Sequence, residues 1–161
     1  MKCLITPIFI IAFLLGGCSR NRFHPIYDLN SFFRRYSFDY EYPVLARDFL
    51  IVLVDINANK RIELFDLKLK KIVPLPGVNI KNAIPLSVSM SANAKRIAFI
   101  RRQNQENKLF IFDRKQVRLR TLNVGPESVP VEVSLSGSGK VLAVQVINKD
   151  KFDIQMIRID I

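Results

Sequence analysis

The chain repeats itself, and the period of that repeat narrows its possible folds more than any other feature. Val88-Ser89-Met90-Ser91-Ala92-Asn93-Ala94-Lys95-Arg96-Ile97-Ala98-Phe99 lines up with Val133-Ser134-Leu135-Ser136-Gly137-Ser138-Gly139-Lys140-Val141-Leu142-Ala143-Val144 at a constant offset of 45. The same offset pairs Leu109-Phe110-Ile111-Phe112 with Ile154-Gln155-Met156-Ile157. A third copy lies upstream in Tyr42-Pro43-Val44-Leu45, Leu50-Ile51-Val52-Leu53, Ile62-Glu63-Leu64-Phe65-Asp66 and Ile72-Val73-Pro74-Leu75, with a shorter first turn. Apolar runs of this length between polar turns read as strands, and each copy reads as a four-stranded antiparallel meander. In the last copy Ile161 arrives before a fourth strand. Four strands at a period of about 45 residues mark a β-propeller blade. The expected fold is all-β, with about three four-stranded propeller-type blades after an N-terminal signal helix.

The repeat also resembles a known family. A Ser-turn-Lys-apolar segment, followed about a dozen residues on by an apolar-aromatic strand ending in Asp, is similar to the blade repeat of TolB-type propellers. The resemblance covers Tyr42 to Ile161. The usual Pro-Asp-Gly turn is replaced by Ala92-Asn93-Ala94 and Gly137-Ser138-Gly139, and the strand-ending Asp66 and Asp113 give way to Arg158 in the last copy. It implies protein partners in the cell envelope and a six-bladed ring. A propeller needs about four to eight blades to close. Three solutions stay open: a homodimer completing six blades, an open wedge covered by the segment before Tyr42, which could also donate the missing strand, or docking onto another protein through edge strands.

At the N-terminus, Lys2 precedes an apolar run from Leu4 to Leu15 that is short for a bilayer span and ends in small residues, the grammar of an export signal. Leu15-Gly16-Gly17-Cys18 resembles the lipobox of bacterial lipoproteins. The resemblance implies cleavage between Gly17 and Cys18, with diacylglyceryl and N-acyl lipid carried covalently by Cys18. Ser19 is compatible with sorting to the outer membrane. The expected location is therefore periplasmic, lipid-anchored to the outer face of the inner membrane or to the outer membrane. Expected divisions are a signal peptide at 1–17, a lipidated tether and aromatic segment at 18–41, and the repeat domain at 42–161. Cys3 leaves with the signal and Cys18 is consumed, so no disulfide is expected.

Phe23, Tyr27, Phe32, Phe33, Tyr36, Phe38, Tyr40 and Tyr42 are half of the 12 Phe and 4 Tyr in the chain. Such density does not suit a flexible tether, so the part from Ile26 onward is expected to pack on the domain. Net charge is +11, and so basic a domain attracts anions. Export replaces nucleic acid by anionic headgroups, envelope polymers or an acidic protein as targets. Lys68, Lys70, Lys71, Arg114, Lys115, Arg118 and Arg120 gather at the turn into, and along, the fourth strand of the first two copies. They either guard an exposed edge from pairing or form an anion-binding rim, which Arg101, Arg102, Arg34 and Arg35 could extend.

Catalytic chemistry has little material. His24 is the one histidine, which leaves no triad or zinc site, so no metal or diffusible cofactor is expected. Asp55, Asp66, Asp113 and Asp160 fall at strand ends and turns, where carboxylates usually accept backbone hydrogen bonds. Ser136-Gly137-Ser138-Gly139-Lys140 lacks the first glycine and the following helix of a phosphate loop. The reading is a non-enzymatic, membrane-anchored protein-binding or scaffold module, with a glycan- or anionic-polymer-binding accessory as the alternative.

Overall fold

The computed structural model describes residues 24–36 and 38–160; Gly17, Cys18, Ser19 and the rest of the signal and lipobox lie outside them. Among the described residues the fold is nearly all β, with one short helix, α1 (Tyr27–Arg34). Three antiparallel sheets follow in chain order. Blade 1 comprises β1 (Asp39–Ala46), β2 (Phe49–Ile56), β3 (Asn59–Asp66) and β4 (Lys71–Val73). Blade 2 comprises β5 (Ala83–Met90), β6 (Arg96–Gln103), β7 (Glu106–Asp113) and β8 (Arg118–Leu122), and blade 3 comprises β9 (Ser128–Leu135), β10 (Val141–Asn148) and β11 (Lys151–Arg158). Every strand pairs with its neighbours in sequence, as a meander requires. The expected blades are thus present, with blade 3 three-stranded, and no other described segment adds a fourth strand to it.

Local chemistry sets the turns. The hairpins Asn57-Ala58, Asn104-Gln105 and Lys149-Asp150 each place both central residues at positive φ, the two-residue turn that matches strand twist. The first turns of blades 2 and 3 are held by serines: Ser91 Oγ accepts from the Arg96 amide at 3.1 Å and Ser136 Oγ from the Val141 amide at 3.0 Å. The third turn position takes φ 51° at Ala94 and 71° at Gly139, so Ala94 occupies a conformation that glycine adopts without cost. The first strand of each blade carries a proline near a register break, at Pro43, Pro85 and Pro130. Proline cannot donate to the ladder, and a bulge accommodates it.

Blades stack face to face. Each has a front face toward the preceding element and a rear face toward the next. Ile51, Leu53, Ile62 and Leu64 on the rear of blade 1 meet Val88, Met90, Ile97, Phe99, Phe110 and Phe112 on the front of blade 2. Ala98, Ile100, Leu109 and Ile111 on the rear of blade 2 meet Val133, Leu135, Leu142, Val144 and Val146 on the front of blade 3. Burial on both faces explains why Ile51–Val54 and Ile97–Ile100 are continuous apolar runs instead of alternating ones.

The aromatic segment solves half of the closure problem. Phe32 of α1 is buried against Val52, Val54 and Phe65, with Phe33, Tyr36, Phe38 and Tyr40 packed around them on the front of blade 1. Phe65 has ring centroids of Phe33 at 5.1 Å and Phe32 at 5.8 Å in edge-to-face geometry. The helix therefore occupies the face that a preceding blade would cover. The strand itself begins at Asp39, three residues before the expected boundary at Tyr42, with Tyr40 opposite Val54.

Candidate docking and anion-binding surfaces

The rear of blade 3 has no cover among the described residues. Its character follows from the repeat. On blade 2 the rear-face positions Ser87, Ser89, Ala98, Ile100, Leu109 and Ile111 are all buried. Ser87 Oγ and Ser89 Oγ also accept the Val133 and Leu135 amides of β9 at 3.1 and 2.9 Å. Moving each position by the repeat offset reaches Glu132, Ser134, Ala143, Gln145, Ile154 and Met156. Here Ile154 and Met156 are 57% and 67% exposed, beside Phe152 at 67% and Val129 at 46%. A shallow hollow of about 150 Å³ lies among Glu132, Ser134, Ala143, Gln145 and Ile154. Beside it runs the free edge of β11, on the side where β8 completes blade 2.

The basic residues divide by environment. Lys68 and Lys70 sit in the β3–β4 turn and Lys71 opens β4; Lys115 follows β7, and Arg118 and Arg120 lie on β8. Lys68, Lys71, Lys115 and Arg118 are exposed, and Lys70 pairs with Asp28 of α1 at 3.4 Å. β4 and β8 are edge strands, so Lys71, Arg118 and Arg120 stand where edge protection needs them, while Lys68, Lys70 and Lys115 belong to the turns that lead into those strands. Arg114 does not join them: its Nη1 donates to the Ala94 carbonyl at 2.8 Å and its guanidinium stacks 5.0 Å from the Phe49 ring. Burial lowers its pKa, against a raising influence of Asp66. It joins blade 1 to blade 2.

Arg101 also departs from expectation. It is 6% exposed, donates to the Val78 carbonyl at 2.9 Å and lies 4.4 Å from the Phe110 ring centroid, with burial lowering its pKa. It fills the blade 1–blade 2 interface and cannot extend a surface. Arg102 is exposed and donates to Asn107 at 3.1 Å, while Arg34 and Arg35 are exposed at the end of α1.

Of the carboxylates, Asp66 Oδ1 accepts the Leu69 amide at 2.8 Å and Asp113 Oδ1 the Gln116 amide at 3.0 Å, the backbone role expected of them. Asp55 lies opposite Lys60 in the β2–β3 ladder, and Asp160 is exposed. Among the described residues no group of three His, Cys, Asp or Glu could hold a metal. Sequence reasoning passed over Glu63, a residue 9% exposed beneath the aromatic cap. Burial raises its pKa, with Arg61 pulling in the opposite direction.

No family model and no curated protein matches the chain. Solved structures do. TolB from Acinetobacter baumannii superposes with a TM-score of 0.57 at 14% identity, over 73% of this chain and 29% of that one. The β-propeller domain of the Trilobed protease from Pyrococcus furiosus gives 0.54 at 12%, over 75% and 39%. Porphyromonas gingivalis dipeptidyl peptidase 4 gives 0.53 at 11%, over 72% and 23%. The chain thus shares its propeller-blade fold with TolB and with these protease domains, and it spans less than half the length of each of these neighbours. Such sheets occur in TolB and in proteases alike, so the fold leaves enzymatic status open. None of the described helices is long and apolar enough to cross a membrane.

Proposed function

We propose that this chain is a non-enzymatic protein-binding module of the cell envelope, anchored through lipid on Cys18 and docking another protein through blade 3. The observation that carries the reading is the uncovered rear face of blade 3. Each preceding blade presents the equivalent face to a neighbouring sheet, and here Phe152, Ile154 and Met156 stand exposed. The occupant is the β-sheet of a partner with an apolar face like that of Val133, Leu142 and Val144, alongside a strand paired to the edge of β11. Three eight-residue strands offer a face of roughly 14 by 27 Å. At roughly 400 Å² per partner that is below the size of a lasting interface, so the contact is a weak one that a membrane anchor strengthens by raising the local concentration of both partners.

A photoreactive residue replacing Met156 in the whole protein, expressed in its own cells, tests this. The expected result is one heterologous adduct in the envelope fraction, lost when Ile154→Lys is added, with none from the same probe at Leu69. Adducts between two copies would overturn the hetero-partner in favour of self-association. Equal labelling from both positions would overturn docking through blade 3.

A further inference from the structure

The two serine-held turns of blades 2 and 3 lie side by side, and their juxtaposition builds a site that edge protection does not explain. The Ala92 amide donates to the Gly137 carbonyl at 2.9 Å, and Arg96 Nη1 donates to the Gly139 carbonyl at 2.8 Å. Each turn is also braced internally. Ser91 Oγ and Asn93 Oδ1 hold the first, and Ser136 Oγ and Ser138 Oγ the second. Between them is a hollow of about 170 Å³ lined by Lys95, Lys115, Lys140, Arg96, Asp113 and Ser138, with Ser91 and Asn93 at its wall.

The charges are unbalanced. Arg96 and Asp113 face each other at 4.0 Å, both largely buried, and form the floor. Lys95, Lys115 and Lys140 are exposed, and among the described residues no carboxylate lies within 4.0 Å of any of them. Three lysines lining one concavity, over a floor that is itself neutral as a pair, leave about three positive charges unanswered. Like charges gathered in this way raise each other's energy, and a multiply charged anion relieves it. Lys95 and Lys140 occupy the same position of the repeat and stand on hairpin turns, not on β4 or β8. The braced turns fix the points from which their stems start, which reduces the ordering cost of binding.

We infer that this hollow binds a phosphate-type dianion, held by the ammonium groups of Lys95, Lys115 and Lys140 with Ser138 Oγ within the same wall. Lysine suits such a ligand as a point charge with three donors. The same chemistry serves a free phosphate or a phosphomonoester headgroup at a membrane surface. The site is independent of any partner on blade 3.

The test uses the whole chain in zwitterionic detergent, titrated calorimetrically with inorganic phosphate at constant ionic strength. Lys95→Gln/Lys140→Gln is the perturbation, and Lys68→Gln/Lys71→Gln is a control of equal charge. The expected result is saturable binding, weakened at least ten-fold by the first pair and less than two-fold by the second. Circular dichroism of each variant confirms that the sheets persist. Equal weakening by both pairs, or no saturable binding by the parent chain, would overturn the proposal in favour of diffuse charge. A second arm places the chain in phosphatidylcholine nanodiscs with and without phosphatidic acid and repeats the titration. Competition of phosphatidic acid with phosphate, lost in Lys95→Gln/Lys140→Gln, assigns the headgroup; undiminished phosphate binding assigns the free anion.

Discussion

Phe32→Ala tests whether α1 stands in for a missing blade. Phe32 is 3% exposed and meets Phe33, Tyr36 and Phe65 edge-on at 5.1, 5.5 and 5.8 Å. At about 25 cal/mol per Å² over about 200 Å² of ring and stem, the burial is worth at most about 5 kcal/mol. Measured truncations of buried phenylalanine cost about 3–5 kcal/mol. With a urea m-value of about 2 kcal/mol per M, the midpoint should fall by about 2 M. The second readout is association. Undocking α1 uncovers Val52, Val54 and Phe65 on the front of blade 1, a face that the rear of blade 3 in a second copy can meet. Light scattering of a soluble form, residues 19–161, should therefore show mass rising with concentration in Phe32→Ala, toward a closed two-chain ring or longer open arrays. A midpoint within about 0.5 M of the parent, with no gain in mass, would refute the argument: α1 would be an accessory to blade 1 and not its cover.

Glu63→Gln should stabilise the fold at pH 7. Burial holds the Glu63 pKa above its usual 4.5, so the folded state binds this proton more tightly than the unfolded state does. Stability from this group therefore falls as pH rises above about 4.5 and levels off beyond the folded pKa. The gain from glutamine should be visible in urea midpoints at pH 7 and vanish at pH 4; a loss at pH 7 would mean that the Arg61 pair outweighs burial. Gly139→Ala should cost about 1–3 kcal/mol, because Gly139 has φ 71° and an added Cβ would lie 3.0 Å from Arg96 Cδ and 3.2 Å from Ser91 Cβ; an unchanged thermal midpoint would show that this turn is soft. Cys18→Ser should abolish incorporation of labelled fatty acid and move the protein from the membrane to the soluble fraction. Retention in the membrane would favour an uncleaved anchor.

The blades were legible because a two-sided sheet writes a periodic signal. Val88–Phe99 and Val133–Val144 share residue types at positions that share an environment, and the turn serines recur because the same amides need the same acceptors. The helix was not legible. Tyr27–Arg34 carries only two phenylalanines that meet the sheet, and its reason for folding is the open front of blade 1, which lies elsewhere in the chain. Arg101 and Arg114 misled for a related reason. Their composition reads as surface charge, yet long stems let a guanidinium lie on Phe110 or Phe49 and reach a carbonyl across an interface. A signal was available for the prolines, since Pro85 and Pro130 sit 45 residues apart in strands where an unbulged ladder would need their missing amides.

Closure explains why the two ends of this stack differ. A blade with one uncovered face exposes alternate apolar residues along every strand. At the front, eight residues of helix and the aromatic approach to β1 bury Val52, Val54 and Phe65 without another sheet. At the rear the repeat has already begun to change: Ile100 becomes Gln145 and Ser87 becomes Glu132, while Leu109 and Ile111 remain apolar as Ile154 and Met156. A face bound for permanent burial would keep the isoleucine, and one bound for water would lose the other two. The mixture suits a surface that spends time both covered and free. A capped front also removes the face that a second copy would need for a six-bladed ring, so ring formation by two chains requires α1 to leave first. Phe32→Ala would expose such a route, and the intact cap is the reason the docking proposed for blade 3 is hetero-association.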